Sequence, residues 1–230
     1  ETSNPSISKK AIFTFAGDHG VTDEGVSAYP KTVTAQMVYN FVRGGAAINV
    51  LSKAIGAELI VADLGVAEDI FSDRVIIKKV GYGTNNFCKG PAMTRENAIK
   101  SINYGIEIFN QFGPYDIIGI GEMGIGNTTP SSAIASVFTD APVEDVTGRG
   151  TGVGDEAYKN KVRIIKKSIE LNKPDKNDPI DVLSKIGGYE IGGLVGVVLA
   201  AAMKRTPVVI DGFISTSAAL IASKMNSNVS

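Results

Sequence analysis

The sequence predicts an α/β fold in which a doubly wound, mainly parallel sheet is flanked by helices, and three observations carry that prediction. Strand-like apolar runs alternate with helical stretches from Lys10 to Leu220, the order that feeds a parallel sheet through helical crossovers. The strand-like runs are continuously apolar, as strands covered on both faces are. Glycine-rich turns follow them, and in open α/β sheets ligands sit beyond the C-terminal strand ends. With 230 residues, 43% of them hydrophobic, the chain can bury one sizeable core and reads as a single domain over residues 1–230.

Lys10 to Ala16 is the first strand, running into the loop Gly17-Asp18-His19-Gly20. Asp18 and His19 are adjacent, without a candidate nucleophile, so a loop-ordering hydrogen bond is the expected role. Thr34 is placed to cap a helix whose Met37, Val38, Phe41 and Val42 form an apolar face; Gly44-Gly45 breaks it, and Ala46 to Leu51 resumes it as far as Gly56. Glu58 to Gly65 is the second strand, and Val75 to Val80 a short edge strand whose lysines discourage further pairing. Gly81 to Met93 reads as a loop, and from Thr94 the spacing of Ile99, Ile102, Ile106 and Phe109 makes an amphipathic helix leading into a buried strand, Tyr115 to Ile120.

The stretch that follows, GEMGIGNTTPSS from Gly121 to Ser132, is a strand-to-helix turn with Thr129 placed as N-cap and Pro130 at the first helical position. Gly124 and Gly126 permit close backbone approach, Thr128 and Thr129 add hydroxyls, and the helix start is electropositive. These are anion-binding parts. Glu122 is out of place beside an anion unless it meets an uncharged or cationic part of the ligand. The turn lacks the Lys-Ser/Thr ending of a Walker loop and the third glycine of the dinucleotide fingerprint.

Pro142 to Val146 reads as extended, and Gly148, Gly150, Gly152 and Gly154 follow in close succession. Asp155 is expected to cap a helix with Val162, Ile165 and Ile169 inward and its basic residues mostly solvated. Asp178-Pro179 starts a short helix that Gly187-Gly188 ends, and from Glu190 an apolar, glycine-containing helix must be covered on most sides. Thr206 to Ile210 reads as a buried strand ending at Asp211-Gly212-Phe213, and Ser215-Thr216-Ser217 opens the last helix.

Composition narrows the function. Twenty-three basic and 24 acidic residues give a net charge of −1, so no basic face for nucleic acid is indicated. One cysteine, Cys88, forms no internal disulfide and suits a reducing cytoplasm, and one histidine with one cysteine makes a structural zinc site improbable. The apolar run Ile191 to Met203 is too short to span a bilayer. No metal, cofactor or membrane partner is expected.

Taken with FAGDHGV (Phe15 to Val21), GVSAYP (Gly25 to Pro30), VTAQMVYNFVRGGAAINVL (Val33 to Leu51), GRGTGV (Gly148 to Val153) and DGFISTSAAL (Asp211 to Leu220), the GEMGIGNTT turn resembles that of the nicotinate-nucleotide:dimethylbenzimidazole phosphoribosyltransferases. The blocks stand in family order across nearly the whole chain. The resemblance implies a Rossmann-like sheet and transfer of phosphoribose from nicotinate mononucleotide to 5,6-dimethylbenzimidazole, giving α-ribazole 5′-phosphate and nicotinate for the lower ligand of cobalamin. It implies that Gly124, Ile125, Gly126, Asn127, Thr128, Thr129 and Lys161 hold the phosphate. Gly148, Arg149, Gly150, Asp211 and Gly212 flank the ribose and nicotinate, and Gln36 and Glu122 face the benzimidazole. It also implies a homodimer. The family's catalytic glutamate and most of its small helical domain have no counterpart here, so the chain is expected to be a fragment. Ala28 stands where the family pocket carries a serine. Two other classes remain open from the residues: a non-catalytic mononucleotide or phosphosugar binder, and an unrelated α/β enzyme such as a phosphatase or kinase. Missing metal carboxylates and a missing Walker lysine argue against the latter.

Overall fold

The computed structural model describes residues 6–150, 152 and 154–229; Thr151 and Val153 of the GRGTGV block lie outside them. Five parallel strands, β1 (Lys10–Gly17), β2 (Ala57–Gly65), β3 (Ile76–Ile77), β4 (Ile117–Met123) and β5 (Val208–Ile210), form one sheet in the order β3-β2-β1-β4-β5. The chain winds outward from β1 to β3 on one side, then returns to lay β4 and β5 on the other. That reversal puts a topological switch point between β1 and β4, where a crevice opens beyond the strand ends. The doubly wound prediction is met.

Helices cover both faces. Helices α1 (Thr32–Arg43) and α2 (Ala47–Ala54) enclose a small core with Ala16, Val61 and Val66. The larger core gathers Phe13, Phe15, Leu64, Ile118 and Ile120 under α3 (Arg95–Gln111), α6 (Pro179–Ile186), α7 (Tyr189–Met203) and α8 (Phe213–Met225). β1 therefore divides its side chains between two cores, as a central strand must. Helices α3 and α7 touch backbone to backbone: a Cβ on Gly105 would collide with the Gly193 carbonyl, and one on Gly196 with the Ile102 carbonyl. Only glycine permits that approach. Helices α4 (Thr128–Thr139) and α5 (Asp155–Asn172) complete the fold. Among the described residues, no helix is long and apolar enough to cross a membrane.

A buried ion pair latches the end of β2. Asp63 Oδ1 accepts the amides of Gly65 and Val66 at 2.9 and 2.8 Å, and Lys79 Nζ lies 2.7 Å from Asp63 Oδ2 while donating to the carbonyls of Val66 and Glu68. The lysine also sits over the Tyr82 ring, 4.7 Å from its centroid. Asp63 is thereby spent on the fold.

Several local readings need correction. Thr34 does not cap α1, which starts at Thr32; its hydroxyl instead accepts the Ile125 amide at 3.1 Å, a contact across the fold. α4 begins at Thr128, with Asn127 before it and no side-chain cap, so Thr129 lies inside the helix. Gly154, not Asp155, caps α5. Residues 143–146 form a turn, closed by the Asp145 amide on the Pro142 carbonyl at 3.0 Å and by the Thr147 hydroxyl on the Val143 carbonyl. The strand read as Thr206 to Ile210 has three residues and stands at an edge, with Val209 and Ile210 exposed. β3 keeps two of the residues expected for it. On α3 the inward face is Ala98, Ile102, Ile108 and Phe109, with Ile99 outside. By contrast Asp178 caps α6 as read, accepting from Ile180 and Asp181, and Thr94 caps α3.

Candidate active site

The switch point holds a cavity of about 230 Å³ lined by residues 122–128 of the β4–α4 turn, by Val26 and Ser27, and by Gly150. β4 pairs with β1 so that Glu122 stands beside Phe15 and Met123 beside Ala16, which delivers the turn to the strand ends. Gly126 has φ +86°, open to glycine without strain, and the Asn127 and Thr129 amides donate to the carbonyls of Gly124 and Gly126. The turn is held rigidly. A larger cavity of about 760 Å³, lined by residues such as Phe109, Pro114, Tyr115, Arg205 and Pro207, opens at the opposite ends of the strands and gathers none of the motif residues.

One end of the smaller cavity is cationic. Lys161 reaches it from α5, its side chain buried, donating to Thr128 Oγ1 at 2.6 Å and to the Gly148 carbonyl at 3.3 Å. Burial without a carboxylate partner pulls its ammonium down to about 8. Gly150, at φ +56°, makes room for this contact: a Cβ there would stand 2.8 Å from Thr128 Oγ1 and 3.2 Å from Lys161 Nζ. The other end is acidic. Asn127 Nδ2 donates to Glu122 Oε2. Burial first, then the charge of Glu190, push the Glu122 carboxyl up to about 7 against the opposing pull of Asn127 and His19.

Of the residues singled out in the sequence, Glu122, Gly124, Ile125, Gly126, Asn127, Thr128 and Gly150 line this one cavity, and Lys161, bonded to the Gly148 carbonyl, stands behind its Thr128 wall. Thr129 is buried directly behind, in the first turn of α4. Four lie outside the lining. Gln36 is exposed on α1, Arg149 turns to Asp155 and the Tyr158 ring, and Asp211 and Gly212 stand at the end of β5 on the same sheet edge. Sequence reasoning missed a buried pair behind the turn: His19 Nε2 lies 2.7 Å from Glu190 Oε1, both fully buried. Asp18 ties its loop to the segment after β2, accepting the Ala67 amide at 2.8 Å, whereas the His19 ring is engaged by Glu190 and not by the loop.

A parallel sheet with a glycine-rich strand-to-helix turn and a buried lysine at its switch point defines a doubly wound α/β protein. A family model described as phosphoribosyltransferase matches residues 1–230, and the chain belongs to that family. It is 57% identical over 229 residues to a nicotinate-nucleotide--dimethylbenzimidazole phosphoribosyltransferase of Geobacter sulfurreducens, covering 98% of this chain and 65% of the relative. A protein of that name from Dehalococcoides mccartyi is 58% identical over 221 residues, covering 95% and 63%. The crystal structure of CobT from Thermus thermophilus superposes with a TM-score of 0.93 at 38% identity, covering 98% of this chain and 68% of that one. The chain thus spans a little under two thirds of the length of these curated relatives.

Proposed function

We propose that the protein transfers the phosphoribosyl group of nicotinate mononucleotide to 5,6-dimethylbenzimidazole, forming α-ribazole 5′-phosphate and nicotinate in the synthesis of the cobalamin lower ligand. The observation that supports this most is the hydrogen bond by which the buried Lys161 ammonium backs Thr128 of the cavity-lining GEMGIGNTT turn, in a chain more than half identical to relatives bearing that name. In this reading the 5′-phosphate takes the Thr128, Gly150 and Lys161 end. Gly148 to Gly150 and Asp211-Gly212 flank the ribose and nicotinate, and Gln36 and Glu122 meet the benzimidazole.

The chemistry asks for position and one proton transfer. The bond from C1′ to the pyridinium nitrogen breaks, its electron pair returning to the nicotinate ring and cancelling the positive charge. The unprotonated ring nitrogen of the benzimidazole attacks C1′ from the opposite face and inverts it, while the N–H proton passes to a base. The family resemblance places that base on a glutamate with no counterpart in these 230 residues. A positioned base is typically worth roughly 10² to 10⁴ in rate. Val50, Leu51 and Ile55, exposed together on and beside α2, support a homodimer. α7 adds nothing to this, being buried within its own chain save for its last turn. The single buried Cys88 suits a reducing cytoplasm.

Calorimetric titration with nicotinate mononucleotide and then with its nucleoside, which lacks the phosphate, tests the reading. The nucleotide is expected to bind much more tightly; equal affinities would remove the anion site. Chromatography for α-ribazole 5′-phosphate tests turnover, and an intact protein that makes none at any pH would remove the transferase.

A further inference from the structure

Behind the Gly124 turn lies a charge pair for which phosphate binding has no use. Three glycines from distant parts of the chain wall in His19 and Glu190. A Cβ on Gly17, at the end of β1, would stand 2.7 Å from Glu190 Oε2; one on Gly188, just before α7, would collide with His19; one on Gly124 would stand 3.2 Å from His19 Nε2. The backbone of the cavity-lining turn therefore packs on the Gly17 carbonyl and the His19 ring, with Glu190 behind the histidine. His19 Nδ1, Glu190 Oε2 and Asp18 Oδ1 are buried without a hydrogen-bond partner among the described residues. A buried ion pair roughly breaks even against its desolvation, and unsatisfied atoms add to the cost. Packing does not account for the arrangement.

Glu122 sits two residues before Gly124, lines the cavity, and takes its hydrogen bond from the neutral Asn127 amide. The charged groups around it are Asp18 and His19 from the loop after β1, Glu190 from the first turn of α7, and Lys161 of α5 beyond Thr128. We propose that His19 and Glu190 are positioning residues for Glu122: His19, held by Glu190, backs the turn that carries Glu122, and the Glu190 carboxylate biases the Glu122 carboxyl toward donating a hydrogen bond to an acceptor atom on the ligand in the cavity. The acceptor class is an unprotonated ring nitrogen or an oxygen on the aromatic base. An uncharged acid there does not repel the phosphate at the Lys161 end, which resolves the oddity of a carboxyl beside an anion site. Burial favours the protonated acid, and Glu190 adds to it more than His19 subtracts. The consequence for turnover rests on nicotinate mononucleotide and a benzimidazole being the ligands of this cavity; the hold of the pair on Glu122 does not.

Ligand-free titration by nuclear magnetic resonance decides it. The chain has one histidine, so the imidazole nitrogen-15 signals belong to His19, and the Glu122 carboxyl carbon is assigned by its loss in Glu122→Gln. Glu190→Gln is expected to lower the midpoint of the Glu122 titration by about half to one pH unit. Glu122→Gln is expected to lower the His19 midpoint, because coupling between two titrating groups is mutual. A pair that merely filled space would move neither. An unmoved Glu122 midpoint in folded Glu190→Gln overturns the proposal. Should Glu190→Gln not fold, the His19 response to the near-isosteric Glu122→Gln decides alone, and an unmoved His19 overturns it. Because no ligand is present, this outcome is separable from the calorimetric test of nucleotide binding.

Discussion

Glu122 lines a small cavity and Lys161 stands behind Thr128 in its wall, and each is a charged residue type held where charge is costly. Lys161 has a hydroxyl and a carbonyl for partners and Glu122 an amide, none of them an opposite charge. Burial therefore pulls the lysine down to about 8 and pushes the glutamic acid up to about 7. The difference lies in what a ligand would do. A phosphate arriving beside Thr128 supplies Lys161 with its missing counter-charge and restores a full ammonium. Nothing anionic can do the same for Glu122, whose best partner is an acceptor for its proton. Under the proposed function, the cavity takes a molecule that is anionic at one end and uncharged at the other.

The sharpest test of this contrast is Lys161→Ala, expected to weaken nicotinate mononucleotide binding by roughly 10- to 100-fold in calorimetry. A loss no greater than that for the phosphate-free nucleoside would erase the distinction between the two ends. Next in size is the pH dependence of stability. The folded-state value of Lys161 lies below its ordinary 10.5, so the fold is penalised while the lysine must be charged, and the penalty is relieved as pH rises from about 8 to about 10.5. Urea denaturation should show a gain of about 3 kcal/mol across that window, absent in Lys161→Met. For Glu122 the folded value lies above the ordinary 4.5, so its contribution is complete below that pH and is lost as pH rises through about 7. Glu122→Gln should flatten the loss. The smallest effect expected is on affinity: Glu122→Gln should leave nicotinate mononucleotide binding within about threefold of wild type, since the change lies away from the phosphate. A loss comparable to that of Lys161→Ala would mean the ends are not separate.

What is legible in the sequence follows the range of the interaction. The strand Ile117–Met123, its glycine turn and α4 are consecutive, so their chemistry can be read locally, and the Asp178 cap of α6 likewise. Thr34 misleads because the local pattern of a cap loses to a tertiary contact with Ile125. Val208 to Ile210 misleads because an apolar run shows strand character but not whether neighbours lie on both sides. The role of Lys161 comes from resemblance, since nothing on α5 separates it from four other basic residues except the burial that the fold imposes. The His19–Glu190 pair is invisible in the sequence, as 171 residues separate its members.

That separation also bears on the order in which the molecule becomes competent. Contacts closing long loops form late, because the entropy of closure must be met before the contact can offset it. β1, β2 and the β4 turn can assemble from the first part of the chain, and with them the glycines of the anion site. The compartment around His19 stays open until α7 docks and brings Gly188 and Glu190 against it. An assembly of β1, β2 and the β4 turn would carry Glu122 without Lys161 of α5 or Glu190 of α7, so the setting of both groups is complete only with the later helices to pack.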